Sequence, residues 1–462
     1  MTTTVAPVAE PLSHATATTR PLVLIHGYDS EAKAFEKWKQ IFATHLRLTP
    51  IHVGNYVSLS NEVTIKDIAE GLDRALALNG FGPETEFDAV VHSTGMLVIR
   101  SWLATYPERR GRLKHLIGLA PASFGSPLAH KGRSWLGSIF KGSKHLGADF
   151  LEAGDEVLDA LELGSRFTWD LAHQDLFVDK PMFGPDGTTP WVFIFCGNTP
   201  YHGIAKLVGE PGTDGTVRWA GVSLNSRKIT IDLSRRAEAK ARVELGALKA
   251  ASPIPLVFVA DTNHGTIMSD PPQRLQELVL LALRVNSAET LAEWSASAEE
   301  TSAAARPKPY QQFVVRVVDE RGDPVTDYNT RVLAGRTGGQ LEHLHEFDDD
   351  VHAYGRDKSF RNFHVDVSSF LKTDNWDRFE LHLTASSGSK LVGYRGFSLA
   401  DTGTDSVAPV EEIRVSLLPV LRRPDFKFFF PHTTTLIEII LNREPLPVNE
   451  VNKVYQFVAD HS

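Results

Sequence analysis

The sequence predicts an α/β fold with a doubly wound, mostly parallel β-sheet and a helical lid, followed by a C-terminal all-β sandwich domain. Three observations predict it. Short apolar strands alternate with amphipathic helices over residues 21–286, which is typical of a parallel sheet covered on both faces. Residues 125–176 interrupt this alternation with an apolar, helical segment, the predicted lid. Beyond residue 310, short strands are separated by Gly, Asp, Asn and Pro turns.

Composition and charge restrict the classes of function that this chain can serve. The 462 residues carry a formal net charge of −9, so no basic field is available to bind phosphates, and we expect no nucleic-acid partner. The single cysteine, Cys196, excludes an intrachain disulfide, and its apolar neighbours indicate a core residue. Because no zinc-type Cys/His spacing occurs, we predict neither a metal nor a cofactor.

The N-terminal segment, residues 1–20, is rich in Thr, Ala and Pro and is predicted to be disordered. It lacks the charged start and apolar core of a signal peptide, and no apolar run in the chain is long enough to span a bilayer. We therefore expect a cytoplasmic protein, although a removed signal or a dedicated export machine would leave the same sequence.

The chain is organised around a predicted strand, sharp turn and helix that place Ser93 at the corner. An apolar, β-branched run from Phe87 ends at His92-Ser93-Thr94-Gly95, where a helical pattern begins. Such a corner exposes the serine hydroxyl above the sheet and places it near a helix N-terminus, which favours developing negative charge. The usual pattern is G-x-S-x-G, and Val91 stands in place of the first glycine. The alternative is that Ser93 only caps the helix.

A serine nucleophile needs a base and an orienting carboxylate, and both have candidates after predicted strands. His264 follows the last core strand closely, and Gly265 leaves space beside it, so we predict His264 as the base. Two acids compete. Asp214 follows the penultimate core strand, whereas Asp261 lies nearer to His264 but follows the same strand and is a candidate turn residue. We predict Asp214 as the orienting acid.

The predicted oxyanion hole combines two backbone N–H groups. One belongs to Thr94, directly after the nucleophile, and the other to Tyr28, in the loop after the first strand. Because the loss of one such donor costs about 3–4 kcal/mol of transition-state stabilisation, a short strand-to-helix turn suits this role better than a mobile loop. His26 is expected either to orient the loop or to be a buried structural residue.

At this level of detail, residues 21 to about 285 resemble the α/β-hydrolases of the lipase and esterase group. The resemblance rests on L-V-L-I-H-G-Y-D, V-V-H-S-T-G with Arg100 after it, L-A-P-A-S-F-G-S-P-L-A, G-T-D-G-T-V-R and T-N-H-G, in the family's order. It implies hydrolysis of carboxylic esters through an acyl-enzyme on Ser93. Val91, and Met96 where a second glycine often follows the first, depart from the family's pattern and concern the geometry of the turn and the shape of the pocket.

The remaining segments carry expectations of their own. Residues 287–309 are predicted to be a linker at a domain boundary, with a helix followed by a stiff linker as one form of it, and the β-sandwich covers 310–462. The predicted lid has an alternative, an ordinary helical hairpin packed on the sheet. Residues 425–431, Asp-Phe-Lys-Phe-Phe-Phe-Pro, are a candidate for peripheral membrane contact, although such phenylalanines are more often core residues. The acidic run 346–350 is predicted to be a solvated loop, with a structural ion as the alternative.

Three functions follow from these observations. The leading hypothesis is a hydrolase of lipid-like or other apolar acyl esters, because a lid and an apolar lining favour an acyl chain over a charged substrate. The second is an acyltransferase or a phospholipase that acts at a membrane. The third is a binding or scaffold protein with an inactive hydrolase domain, which only the Val91 departure supports.

Overall fold

The structure is a computed structural model, and it describes most of the chain in twelve stretches. They are residues 20–28, 30, 32–46, 50–129, 154–184, 188–201, 211–234, 242–247, 253–371, 376–397, 410–445 and 454–455. The predicted disordered residues 1–19 and the apolar part of the predicted lid, 130–153, lie outside these stretches.

The first domain contains a six-stranded, fully parallel sheet in the order β2-β1-β3-β4-β5-β8. The reversal of strand order at β1 and β3 confirms the predicted doubly wound topology. In chain order, the eight strands up to residue 259 are β1 (Leu22–Ile25), β2 (Ile51–Gly54), β3 (Phe87–His92), β4 (Leu113–Leu119), β5 (Trp191–Gly197), β6 (Arg227–Asp232), β7 (Val243–Ala247) and β8 (Leu256–Val259).

The helices of the first domain cover both faces of this sheet. Local sequence explains where they begin: Thr64 and Asp67 form the predicted capping box of the second helix, and Ser165 caps the fifth. The helices are α1 (Glu36–His45), α2 (Ile65–Leu78), α3 (Gly95–Thr105), α4 (Asp155–Leu161), α5 (Arg166–Asp175), α6 (Trp219–Val222), α7 (Thr266–Ser269), α8 (Gln273–Ala282) and α9 (Ala288–Ala305).

Helix α9 occupies most of the predicted linker and packs on the first domain. Trp294 is buried against the rings of Phe193 and Phe195, and its indole N–H donates to the carbonyl of Leu278 at 2.9 Å. The composition of Ala, Ser and Glu is that of a helix with one small-residue face, and this face lies on β8. Residues 306–309 lead from helix α9 to the strand that begins at Tyr310.

The second domain is built on a mixed sheet of eleven described strands, curled so that its two halves enclose one core. Phe313 and Ile437 from one half and Leu381 and Ile413 from the other belong to the same buried cluster, which gives the predicted sandwich its interior. The domain's own elements are β9 (Tyr310–Asp319), β10 (Asp327–Gly335), β11 (Glu342–His343), β12 (Val351–Ala353), β13 (Phe360–Asp366), β14 (Arg378–Ser386), β15 (Val392–Arg395), β16 (Glu412–Ser416), α10 (Leu418–Leu421) and β17 (Thr434–Pro445).

The hairpin β6–β7 crosses the predicted domain boundary. The sequence places it within residues 21–286, but β6 pairs in parallel with β17, from Thr435 opposite Arg227 to Ile440 opposite Asp232. Its inward residues Ile229 and Ile231 are buried in the second core. The chain before residue 286 therefore contributes two strands to the sheet of the second domain, and the two domains cannot be separated by a cut at that residue.

The described half of the predicted lid, α4 and α5, is a hairpin held between the two domains. Tyr354 O–H donates to Asp159 at 2.8 Å, and His352 contacts Glu162 at 2.8 Å. Arg356 forms an ion pair with Glu156 at 2.7 Å. These contacts hold residues 155–162 against the second domain, and the lid and its alternative, a hairpin packed on the sheet, both stay predictions.

Candidate active site

Ser93 occupies the predicted corner between β3 and α3. Its φ of +51° is in the left-handed region, which non-glycine residues rarely adopt and which is common at functional sites. The Ser93 N–H donates to the Leu119 carbonyl at 3.2 Å, and its own carbonyl accepts from the Ala122 N–H at 3.1 Å. Because Thr94 has the N-cap position of α3, Ser93 is not the cap of this helix.

Two glycines allow the backbone to approach Ser93 closely. A Cβ atom on Gly27 would lie 2.8 Å from the Ser93 Cβ, and one on Gly95 would lie 2.6 Å from the Ile25 carbonyl oxygen. The loop after β1 and the first turn of α3 therefore fit together only without these side chains. Val91 is fully buried on β3 and does not prevent the turn.

Asp214 and His264 form a buried hydrogen-bonded pair. The His264 Nδ1 lies 3.0 Å from the Asp214 Oδ2, and both side chains are fully buried. The other carboxylate oxygen, Oδ1, accepts from the N–H groups of Thr216 at 3.0 Å and Val217 at 2.9 Å. The His264 N–H in turn donates to the Asp214 carbonyl at 3.0 Å, so the two loops are joined through backbone and side chain.

Asp261, the competing acid, lies in a different environment. It is exposed, with a φ of +52° in the turn after β8, and its N–H donates to Asn198 Oδ1 at 3.0 Å. The structure thus brings Asp214 to the imidazole and leaves Asp261 at the surface.

Two further histidines surround the Ser93 corner. The His92 ring lies 4.7 Å from the His264 ring, centroid to centroid, and its Nε2 donates to the His264 carbonyl at 3.1 Å. This contact brings the loop that carries His264 next to the residue that precedes Ser93. Burial lowers the pKa of His92 well below its usual value, with His264 and His26 adding to the effect, so His92 is neutral.

The predicted oxyanion donors lie at the same corner. Thr94 is fully buried at the start of α3, and Tyr28 is buried directly after Gly27. The loop is held by His26, whose ring stacks on Tyr56 at 4.2 Å and whose carbonyl accepts from the Tyr56 O–H at 2.7 Å. His26 thus orients this loop, as one of the two expectations for it states.

Comparison with known proteins identifies the architecture. Neither a protein-family model nor a curated protein matches the sequence. Among solved structures, phospholipase PlaB from Legionella pneumophila superposes with a TM-score of 0.75 and 20% identity, covering 96% of this chain and 97% of that one. The chain has the α/β-hydrolase fold.

Two other solved structures show how far the likeness extends. PlaB in complex with thio-NAD gives a TM-score of 0.74 at 20% identity, again over 96% of this chain and 97% of that one. The mature lipase BlEst2 from Bacillus licheniformis matches with a TM-score of 0.35 at 15% identity over 59% of this chain and 96% of that one. Because the match to PlaB covers 96% of this chain, it includes the second domain.

Sequence reasoning overlooked a buried ion pair beneath the hydrolase site. Arg100 and Asp175 are fully buried, with the Arg100 Nε 2.6 Å from one carboxylate oxygen and Nη2 3.0 Å from the other. Arg100 Nη1 donates to the Ser123 carbonyl at 2.6 Å, in the segment that follows β4. Burial raises the pKa of Asp175, and Arg100 opposes this rise. A buried arginine near the middle of an otherwise apolar helix was the available signal.

The acidic run 346–350 is not simply a solvated loop. Asp350 accepts hydrogen bonds from Arg218 of the first domain at 2.7 and 2.8 Å. Asp348 groups with His343 and His345, and their ligand atoms all lie within 4.8 Å of one another. This group lies partly exposed on the second domain and includes none of the residues around Ser93.

The phenylalanines of 425–431 contribute mainly to the second core. Phe426 and Phe428 are buried, Phe429 packs against the same cluster, and Phe430 lies under the Arg227 guanidinium at 3.8 Å. The burial of Phe426 and Phe428 is what the core alternative expects, and the membrane contact stays a prediction. Across the described stretches, no helix combines the length and apolar character needed to cross a bilayer.

Proposed function

We propose that this protein is a serine ester hydrolase that cleaves lipid-like or other apolar acyl esters. The observation that carries the proposal is the buried Asp214–His264 hydrogen bond of 3.0 Å, in a loop that contacts the strained Ser93 corner through His92. Base, acid and nucleophile come from the carboxyl ends of three strands of one parallel sheet, where such folds bind their ligands.

The chemistry follows from this arrangement in two half-reactions. His264 accepts the Ser93 hydroxyl proton as the oxygen attacks the ester carbonyl, and Asp214 holds the imidazole with Nδ1–H toward the carboxylate. The N–H groups of Tyr28 and Thr94 stabilise the oxyanion. His264 then donates the proton to the departing alcohol, and a water molecule activated by the same imidazole hydrolyses the acyl-enzyme. No metal or cofactor takes part in these steps.

An apolar groove in the first domain, whose lining includes Ile25 at the end of β1 but neither Ser93 nor His264, offers room for an acyl chain. It has a volume of about 440 Å³ and lies between β1, β2, α2 and α3, beside the loop that His26 and Tyr56 hold together. Apolar side chains and glycine form most of its wall, which suits a hydrocarbon chain better than a charged group. The lining includes Ile25, Val53, Val63, Ile68, Leu72 and Val98.

A glycerophospholipid is the second, more specific candidate substrate. The observation that favours it is the similarity to phospholipase PlaB over 96% of the chain, second domain included. A phospholipid presents the same carboxylic ester as a triglyceride, so the proposed chemistry is unchanged and only the head group differs. Acyl transfer would need an alcohol acceptor in place of water at the second half-reaction.

The test begins with a fluorophosphonate probe, which labels only an activated serine. We expect the wild-type protein to be labelled and Ser93→Ala to be unlabelled, with p-nitrophenyl ester hydrolysis lost to the same degree. An unlabelled wild type would favour the inactive scaffold, and wild-type rates in Ser93→Ala would refute Ser93 as nucleophile. Comparing phosphatidylcholine vesicles with triglyceride emulsions and p-nitrophenyl esters of increasing chain length then identifies the substrate class.

A further inference from the structure

Arg218 connects the loop that carries Asp214 with the second domain. Its side chain is buried, with Nη2 2.7 and 2.8 Å from the two carboxylate oxygens of Asp350 and Nη1 2.8 Å from the Asn362 side-chain oxygen. Asp350 and Asn362 belong to the second domain, more than a hundred residues further along the chain. One guanidinium nitrogen thus contacts both oxygens of the Asp350 carboxylate while another donates to Asn362, so two residues of the second domain fix the orientation of this arginine.

The second domain presents a rigid partner to this arginine. The His364 Nδ1 lies 3.2 Å from an Asp350 carboxylate oxygen, and the His364 N–H donates to the Asp350 carbonyl at 3.0 Å. The His364 ring stacks on Tyr310 at 4.5 Å. Burial alone would raise the pKa of Asp350, but the hydrogen bonds from His364 and Arg218 lower it, so the carboxylate is charged.

The loop between Gly212 and Trp219, here called the acid loop, contains both Arg218 and Asp214 and is closed by its own backbone hydrogen bonds. The Asp214 N–H donates to the Val217 carbonyl at 3.1 Å, and the Trp219 N–H donates to the Gly212 carbonyl at 2.9 Å. Arg218 therefore belongs to the same tight hairpin as the acid, four residues away. On the other side, the Ser126 hydroxyl donates to the Thr216 carbonyl at 2.6 Å.

The second domain also packs closely against the acid loop. A Cβ atom on Gly212 would lie 2.5 Å from the His364 Cε1 and 2.9 Å from the Tyr310 Cδ2. The Thr434 hydroxyl donates to the Ala220 carbonyl at 3.0 Å, immediately after the loop. The acid loop thus lies between the parallel sheet and the second domain.

We propose that Arg218 is a positioning residue, whose ion pair with Asp350 of the second domain holds the acid loop so that Asp214 faces His264. This inference rests on the proposed function, since it assigns Arg218 a role only through Asp214. It gives the second domain a part in catalysis that requires no contact with the substrate. Orientation of the acid matters because a carboxylate displaced by about 1 Å no longer holds the imidazole productively.

The test uses the full-length protein and compares Arg218→Met and Asp350→Asn with a matched control, Arg356→Met. Arg356 also forms an ion pair across the domain interface, with Glu156 and Asp159 of α4, but it does not contact the acid loop. We expect kcat for a short p-nitrophenyl ester to fall about 10- to 100-fold in both test variants, with KM nearly unchanged. The control should keep the wild-type kcat.

Two further measurements distinguish positioning from general damage. In an Asp214→Asn background, Arg218→Met should lower kcat little further, because it acts through the acid; an additive loss would overturn the inference. The downfield proton NMR signal of the His264 Nδ1–H should weaken in Arg218→Met and be retained in Arg356→Met. Equal signals in these two variants would also overturn it.

Three further variants separate the positioning role of Arg218 from loss of folding and from the proposed function. If Arg218→Met does not fold, Asp350→Asn decides, because the Asp350 side chain is 31% exposed and the substitution keeps its shape. Arg218→Lys retains the charge but lacks the planar guanidinium that contacts both Asp350 and Asn362, so relative to Arg218→Met it should restore part of the activity. Wild-type kcat in Asp350→Asn, with Ser93→Ala inactive, would refute the positioning role alone, whereas activity in Ser93→Ala would refute the proposed function itself.

Discussion

A Cβ atom on Gly118 would lie 2.8 Å from the Cε of Met96. Gly118 is on β4, opposite Val91 in the register with β3, and Met96 is in the first turn of α3. Met96 stands where related hydrolases often have a second glycine, and the absent side chain on β4 gives it room. The departure from the family's pattern on one element is therefore accommodated by a glycine on the next.

Gly118→Ala should consequently destabilise the protein by about 1–3 kcal/mol through overpacking, because the new methyl group would also lie 3.0 Å from the Ile194 Cδ1 and 3.3 Å from the Pro121 Cγ, which leaves Met96 little space to move away. Met96→Ala alone should also destabilise it, by leaving a cavity, and the double variant should lose less than the sum of the two. Urea unfolding measures all three. The matched control is Gly71→Ala on α2, where a Cβ would meet nothing within 4 Å. A Gly118→Ala variant as stable as this control would contradict the packing argument.

The identity of the acid can be tested by two conservative substitutions. Asp214→Asn keeps the shape of the side chain but removes the charge that stabilises the protonated His264, so kcat should fall about 10³- to 10⁴-fold. Asp261→Asn alters an exposed turn and should leave kcat near the wild-type value. Steady-state hydrolysis of p-nitrophenyl esters gives both numbers. A larger loss in Asp261→Asn would reverse the assignment.

Removing one partner of the buried Arg100–Asp175 pair should destabilise the protein, because the other partner is then left as an uncompensated buried charge. Arg100→Met leaves a carboxylate in a dry environment and should lower the free energy of unfolding by about 3–5 kcal/mol. Arg100→Met combined with Asp175→Leu should recover much of this loss, since the uncompensated charge is gone. Arg166→Met, which breaks an exposed pair with Asp170, is the control and should cost about 0–1 kcal/mol. If Arg100→Met and Arg166→Met lowered the free energy of unfolding equally, burial of the Arg100–Asp175 pair would have no energetic consequence.

The neutral state of His92 predicts a pH dependence of stability. Because the folded state lowers its pKa well below 6.5, the unfolded chain binds a proton in mildly acidic solution that the folded chain excludes. The free energy of unfolding therefore decreases as the pH falls below about 6.5, by at most about 1.4 kcal/mol per pH unit from this residue.

His92→Gln retains a donor for the His264 carbonyl but has no group that binds a proton in the unfolded chain. This variant should therefore lose less stability than the wild type when the pH falls from about 7 to about 5. Urea unfolding at both values measures the difference. His345→Gln serves as the control, because the His345 side chain is 78% exposed. A pH dependence in His92→Gln equal to that of the wild type would show that the fold does not keep His92 neutral.

Local pattern was sufficient for the parallel sheet and for the corner at Ser93. The six strands and the capping box at Thr64 depend on apolar alternation, β-branched residues and side-chain caps, each of which is encoded within a few neighbouring residues. The same holds for the position of His264 after the last strand. By contrast, the residues predicted as a linker were interpreted from composition, and composition cannot show that Trp294 packs against Phe193 and Phe195 of β5.

Sequence pattern alone specified the order of strands and helices in the first domain, the sharp turn at Ser93 and the set of candidate acids and bases. Three-dimensional packing was needed to show that Asp214 meets His264, that β6 extends the sheet of the second domain through β17, and that Arg218 reaches Asp350. Separation along the chain explains the difference. These contacts join residues 50 to more than 200 positions apart. They form only where packing of the whole core brings complementary surfaces together, and a short stretch of sequence does not contain that information.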